Sequence, residues 1–129
     1  MSTSDVTASD FVMATVYLRS ASGRSLLKAE STALTDVGPY RPADRSVARA
    51  TSELARRGFR VEGVGLTLSI SGPREVFERE CGVTLTRIET RLEGKRLVPS
   101  WRSTEPVLHI PMLDDVIEGI TLAIPSVLF

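Results

Sequence analysis

One cysteine, one histidine and one tryptophan are all that 129 residues contain of these three types. A lone cysteine closes no disulfide within the chain, and Cys81 has no companion ligands that would make a zinc site. His109 stands between Leu108 and Ile110, without the second histidine or cysteine that a metal centre needs. Charge of one sign is missing too. Sixteen basic and sixteen acidic residues cancel, so no basic excess recommends a nucleic-acid backbone or an anionic membrane as partner. No apolar run approaches the ~20 residues that cross a bilayer. The opening MSTSDVTASDF has neither the cationic start nor the apolar centre of a secretory signal. The expectation is a soluble, cytoplasmic protein. Lys28 and Lys95 are the only lysines beside many arginines and alanines, which hints at a GC-rich bacterial coding sequence.

What is present suits one globular domain. Hydrophobic residues make up 42% and charged residues 25%, close to ordinary proportions. We expect a loose polar tail over 1–10, a single domain over 11–124 and a C-terminal tail over 125–129. In FVMATVYLR, Val12, Ala14, Val16 and Leu18 alternate with Met13, Thr15 and Tyr17, the pattern of a strand with one apolar face. Residues 20–41 are less legible: a Ser-Gly turn, a candidate strand over 24–34, then a loop. Pro42 is expected to open a helix, because proline suits a first turn and Asp44 would favour the positive pole. Val47, Ala50, Thr51 and Leu54 form its buried stripe, and Gly58 takes the left-handed position after it.

Phe59 and Val61 then begin a strand, Gly63-Val64-Gly65 turns it, and Leu66–Ser71 returns as a hairpin. Gly72-Pro73 is expected to start a short helix that buries Val76, Phe77 and Cys81 and stops at Gly82. Val83, Leu85 and Arg87 alternate along a fourth strand. Glu93-Gly94-Lys95 reads as a further turn with 96–101 as the return. A helical turn over 112–117 and an apolar end follow. The order strand, helix, strand, strand, helix, strand predicts an α+β fold. Specifically, it is the ferredoxin-like split βαβ arrangement, with two helices on one face of an antiparallel sheet, plus a C-terminal extension.

Catalytic chemistry does not assemble from these letters. RVEGVG at 60–65 with SGPREVFER after it resembles the phosphate loop of acylphosphatases. Those enzymes, however, place the loop between first strand and first helix with an arginine directly behind it, whereas here a strand follows. Cys81 lies on the buried side of a helix, where a free cysteine is usually a small core residue. Asp114-Asp115 most simply charges a short helical turn. No serine sits in a G-x-S-x-G elbow, and only His109 could serve as a base. RNA recognition on such a sheet calls for aromatics on its central strands, which Leu66, Leu68 and Ile70 do not supply. No enzyme activity, cofactor or metal is expected. Trp101, between Ser100 and Arg102, is a large aromatic of the kind that anchors interfaces, with core packing as the alternative.

The stretch VARATSELARRGFRVEGVGLTLSISGPREVFERECGVTL resembles the prodomain (pro-kumamolisin activation domain) of the sedolisin serine-carboxyl peptidases. Val47, Ala50, Leu54, Gly58, Phe59, Ile70, Gly72, Phe77, Gly82, Val83 and Leu85 fall at the family's helix, turn and strand positions. Gly94, Pro106, Ile110-Pro111, Leu113, Val116, Gly119, Ile120 and Leu122 continue the match. The family's longer insert after the first strand is echoed only by Gly38-Pro39-Tyr40, and no part of these 129 residues corresponds to the family's catalytic domain. The resemblance implies a propeptide-like module that binds a serine peptidase in trans as inhibitor or folding chaperone. It covers the enzyme with the open face of its sheet, and Pro125, Ser126, Val127, Leu128 and Phe129 enter the active-site cleft. An extended tail could do so by adding backbone hydrogen bonds while alternate side chains fill subsites. The rival expectation is a non-inhibitory scaffold module of a larger bacterial assembly, with a homo-oligomer left open.

Overall fold

A computed structural model describes residues 11–25, 38–92 and 96–122. Its elements run β1 (Phe11–Leu18), α1 (Asp44–Arg56), β2 (Arg60–Val64), β3 (Leu68–Pro73), α2 (Arg74–Cys81), β4 (Leu85–Leu92), β5 (Arg96–Ser103) and β6 (Ile117–Leu122), with short 3-10 turns at Gly38–Tyr40 and Pro111–Leu113. Four strands form an antiparallel sheet in the order β2-β3-β1-β6, and β4 and β5 form a separate antiparallel pair. The molecule is therefore α+β, with two helices and two antiparallel sheets, a connectivity compatible with a ferredoxin-like layout. No helix among the described residues is long and apolar enough to cross a membrane.

Alternation places β1. Val12, Ala14, Val16 and Leu18 are all buried, and Val12↔Gly72, Ala14↔Ile70 and Val16↔Leu68 register them on one face with β3. Ala50 and Leu54 of α1 and Phe77 of α2 join the same core. The rings of Phe59 and Phe77 meet edge to face at 4.9 Å, a favoured aromatic geometry. Leu108, Ile110, Leu113 and Val116 complete this core from the chain before β6.

Helix ends follow the expected chemistry. After α1, the Gly58 amide donates to Ala55 O at 3.2 Å and the Phe59 amide to Leu54 O at 3.0 Å. This reciprocal pair satisfies two terminal carbonyls, and it needs the left-handed backbone that Gly58 provides at φ +106°. Gly82 closes α2 in the same region, at φ +68°. A charged clasp joins the two ends: Arg57 Nη1 meets Glu80 at 2.8 Å, Arg79 Nε meets Glu80 at 3.0 Å, and Glu53 lies 3.6 Å from Arg57.

Five expectations need correction. The fourth strand of the main sheet is β6, while the strand after Gly82 pairs, among the described residues, with β5 in a separate sheet. Burial explains the exchange: Ile117, Gly119 and Ile120 are buried in β6, whereas Thr86 and Arg87 of β4 are exposed. Gly72-Pro73 does not start α2. It ends β3, and extended Pro73 (ψ 151°) caps the helix. Pro42 likewise precedes α1, with Ala43 as its cap. The hairpin bend lies at 65–67, where the Gly65 amide donates to Thr67 O at 2.9 Å, so β3 begins at Leu68. Arg24 and Ser25 belong to no strand. The rest of the candidate strand over 24–34, the turn at 93–95, and the tails at 1–10 and 125–129 lie outside the described residues.

Candidate interaction surface

The face of the main sheet turned away from the helices is built by the second half of the β1 alternation. Met13 registers with Ser71, Thr15 with Ser69 and with Thr121, and Tyr17 with Gly119. Phe11 extends this row at one end. Phe11 is 43% exposed and Met13 54%, so two apolar side chains lie uncovered on a central strand, flanked by hydroxyls and glycine. Across the sheet, Ser71 Oγ donates to Glu62 at 2.6 Å, and the same carboxylate lies 3.5 Å from Arg60. Glu62 on this side of the sheet is thus already engaged.

At the corner where β1 begins and β3 ends, the β4–β5 hairpin is tied down. Trp101 is only 9% exposed and belongs to the core with Leu85. Its indole Nε1 donates to Phe11 O at 3.2 Å, and the Arg74 guanidinium lies 5.7 Å from its ring centroid. On the other strand, the Leu85 amide donates to Glu78 of α2 at 2.8 Å. The residue expected as an interface anchor is therefore used within the chain, as the peg of its own hairpin.

The other singled-out groups are not gathered. Cys81 packs partly buried against the core; desolvation, with the neighbouring Glu80 charge second, pushes its thiol from 9.0 to about 12. It is protonated at neutral pH and a poor nucleophile. His109, Asp114 and Asp115 are exposed. Asp115 pairs with Arg49 of α1, and the Asp114 carbonyl accepts from Arg19 Nε at 2.6 Å; both tie the loop before β6 to the body. Arg56 pairs with Glu53 at 2.8 Å. A cleft of about 140 Å³ is lined by Arg19, Ser20, Gly23, Arg24, Ser25 and Glu118. Its hydroxyls are spent internally, Ser20 on Arg24 O at 2.6 Å and Ser25 on Glu118. Among the described residues no group of three or more His, Cys, Asp or Glu could hold a metal ion.

Pro125, Ser126, Val127, Leu128 and Phe129 lie outside the described residues. Phe11 and Met13 were not singled out from the sequence, and Arg74, in the Gly72-Pro73-Arg74 stretch, read there only as part of a helix start. The signal for the first two was present, since the alternation that buries Val12 also turns its neighbours outward; Arg74 gave none, because its ring partner is distant in the chain. Comparison with protein-family models, with curated proteins and with solved structures finds no match to this chain.

Proposed function

We propose that this protein acts by binding another protein rather than by catalysis, as a propeptide-like module of ferredoxin-like layout. The partner in this reading is a serine peptidase bound in trans, which the module inhibits or helps to fold. The sheet face turned from the helices lies on the enzyme, and residues 125–129 enter its cleft. One observation carries the binding part of the reading: Phe11 and Met13 stand exposed in a row on a central strand whose other face is locked into the core. A rigid sheet with an uncovered apolar stripe is a surface that gains by burial against a partner. The peptidase part rests on the resemblance of residues 42–123 to sedolisin prodomains.

The test is inhibition of a purified sedolisin-type peptidase that lacks its own prodomain. Full-length chain should inhibit, Met13→Lys should weaken inhibition at least tenfold, and removal of 125–129 should abolish it while leaving binding measurable. If the shortened chain inhibits as well as the full one, the tail mechanism is wrong. Binding to the enzyme without inhibition would favour the scaffold reading.

A further inference from the structure

Arg74 is the first residue of α2, which is the wrong end for a cation, because the helix dipole is positive there. A neighbouring carboxylate would normally offset this. Among the described residues Arg74 forms no salt bridge and no hydrogen bond to any; its contact is the Trp101 ring, 5.7 Å from the guanidinium carbon. The side chain lies over the ring while its N–H donors, which radiate in the guanidinium plane, are left unspent by any protein acceptor among the described residues. The ring attracts the cation but supplies no acceptor for its N–H donors, and a local rule broken without a full compensation marks a position where function is to be sought.

Its surroundings suggest what would compensate it. Pro73, just before Arg74, registers with Phe11, and Trp101 binds the Phe11 carbonyl. Arg74 therefore stands at the corner of the sheet where the exposed stripe of Phe11 and Met13 begins. We infer that this corner docks a protein surface whose apolar patch carries a carboxylate side chain: the patch covers Phe11 and Met13, and the carboxylate takes the free donors of Arg74. This rests on the reading that the outward sheet face is the binding face, and adds the chemistry of what meets it. A second copy meeting this sheet face to face fits poorly, since Glu62 is already held by Ser71 and Arg60 and Glu118 of β6 by Ser25. An Arg–carboxylate contact beside buried apolar area gives orientation as well as affinity.

The single tryptophan reports on the corner directly. Full-length protein is titrated with short leucine-rich helical peptides, identical except for one central Glu, Gln or Lys, and Trp101 emission is followed. The Glu peptide should bind about tenfold tighter than the Lys peptide, the size of one charge-assisted pair. Arg74→Gln should erase that preference and Arg74→Glu should reverse it. Each change removes a cation from a helix N-terminus but also the contact of Arg74 with Trp101, so the circular dichroism and thermal melt of each variant are matched to the parent before its peptide preference is read. Binding that Met13→Lys abolishes, but that shows no preference among Glu, Gln and Lys, overturns the inference and leaves the face reading standing. Binding indifferent to both Met13 and Arg74 overturns both. Absence of binding by every peptide overturns the inference, while peptidase inhibition still decides the reading beneath it.

Discussion

β4 and β5 pair over eight residues, a longer ladder than the six pairs that join β1 to β3. Yet β1 and β3 are buried along one face against α1, α2 and the segment before β6, while the hairpin gives only Leu85 and Trp101 to the core among its described side chains. Two-stranded ladders are marginal in water unless something covers them. The difference teaches that cover, rather than ladder length, decides which strands are firm here. The hairpin is held at its base, through one indole hydrogen bond, one stacked arginine and one bond to Glu78.

The largest effect should come from the covered side. Phe77→Ala removes a fully buried ring and should cost about 3–5 kcal/mol, a large part of a typical total of about 5–15 kcal/mol. Urea unfolding followed by circular dichroism measures it; a loss below about 1 kcal/mol would remove Phe77 from the centre of the core. Trp101→Ala should act more locally. Hydrogen exchange should quicken throughout β4 and β5 and much less in β1 and β3, and Trp101→Phe should reproduce about 1 kcal/mol of the loss through the missing N–H bond. Equal quickening in all four strands would show one cooperative unit and dissolve the contrast.

Two glycines sharpen the comparison on the helix side. An added Cβ at Gly58 would stand 3.3 Å from Val76, whereas at Gly82 it meets nothing within 4 Å. Both have positive φ, so each alanine carries a backbone cost of about 1–2 kcal/mol. Gly58→Ala should be the worse of the two in thermal melts, and parity would mean that Val76 moves aside freely.

Acid should loosen the clasp next to these glycines. The hydrogen bond from Arg56 is the chief cause holding Glu53 below its ordinary 4.5. For Glu80 the largest single cause is burial, which raises it, but hydrogen bonds from Arg57 and Arg79 together prevail and lower it. A carboxylate depressed in the folded state stabilises above its unfolded value and loses that contribution as pH falls through the folded one. Stability should therefore decline below about pH 4.5, and Glu80→Gln should flatten the decline; an unchanged acid profile would mean the clasp contributes nothing. The smallest effect concerns Cys81. With its thiol raised to about 12 from 9.0, the sign is opposite: its contribution is complete below pH 9.0 and fades as pH climbs toward 12. Iodoacetamide at neutral pH should label native protein far more slowly than protein in urea, and equal rates would refute its burial.

Legibility tracked how local the signal was. The buried set of β1 and the stops at Gly58 and Gly82 follow from alternation and from backbone sterics, which depend on near neighbours. The partner of a strand does not. Val83–Arg87 carries strand periodicity, but periodicity names no neighbour, and the place beside β1 went to Ile117–Leu122, whose apolar letters offered more to bury. Gly72-Pro73 misled because proline serves equally as a first helical residue and as the last residue of a strand, where it pairs with Phe11 at the end of the ladder. Trp101 was legible as important but not as internal, since its partners Phe11 and Arg74 lie 90 and 27 positions away.

The chain just before the last turn has a quieter role. Leu108 exchanges two backbone bonds with Ile120, at 2.7 and 2.9 Å, along the outer side of β6. At the opposite margin, β2 is distorted by a bulge between Val61 and Gly63. Exposed strand margins are where sheets recruit foreign strands and grow into aggregates. With one margin stitched and the other bent, this sheet resists being lengthened sideways, and a visitor has to arrive flat, as a tile laid on a wall.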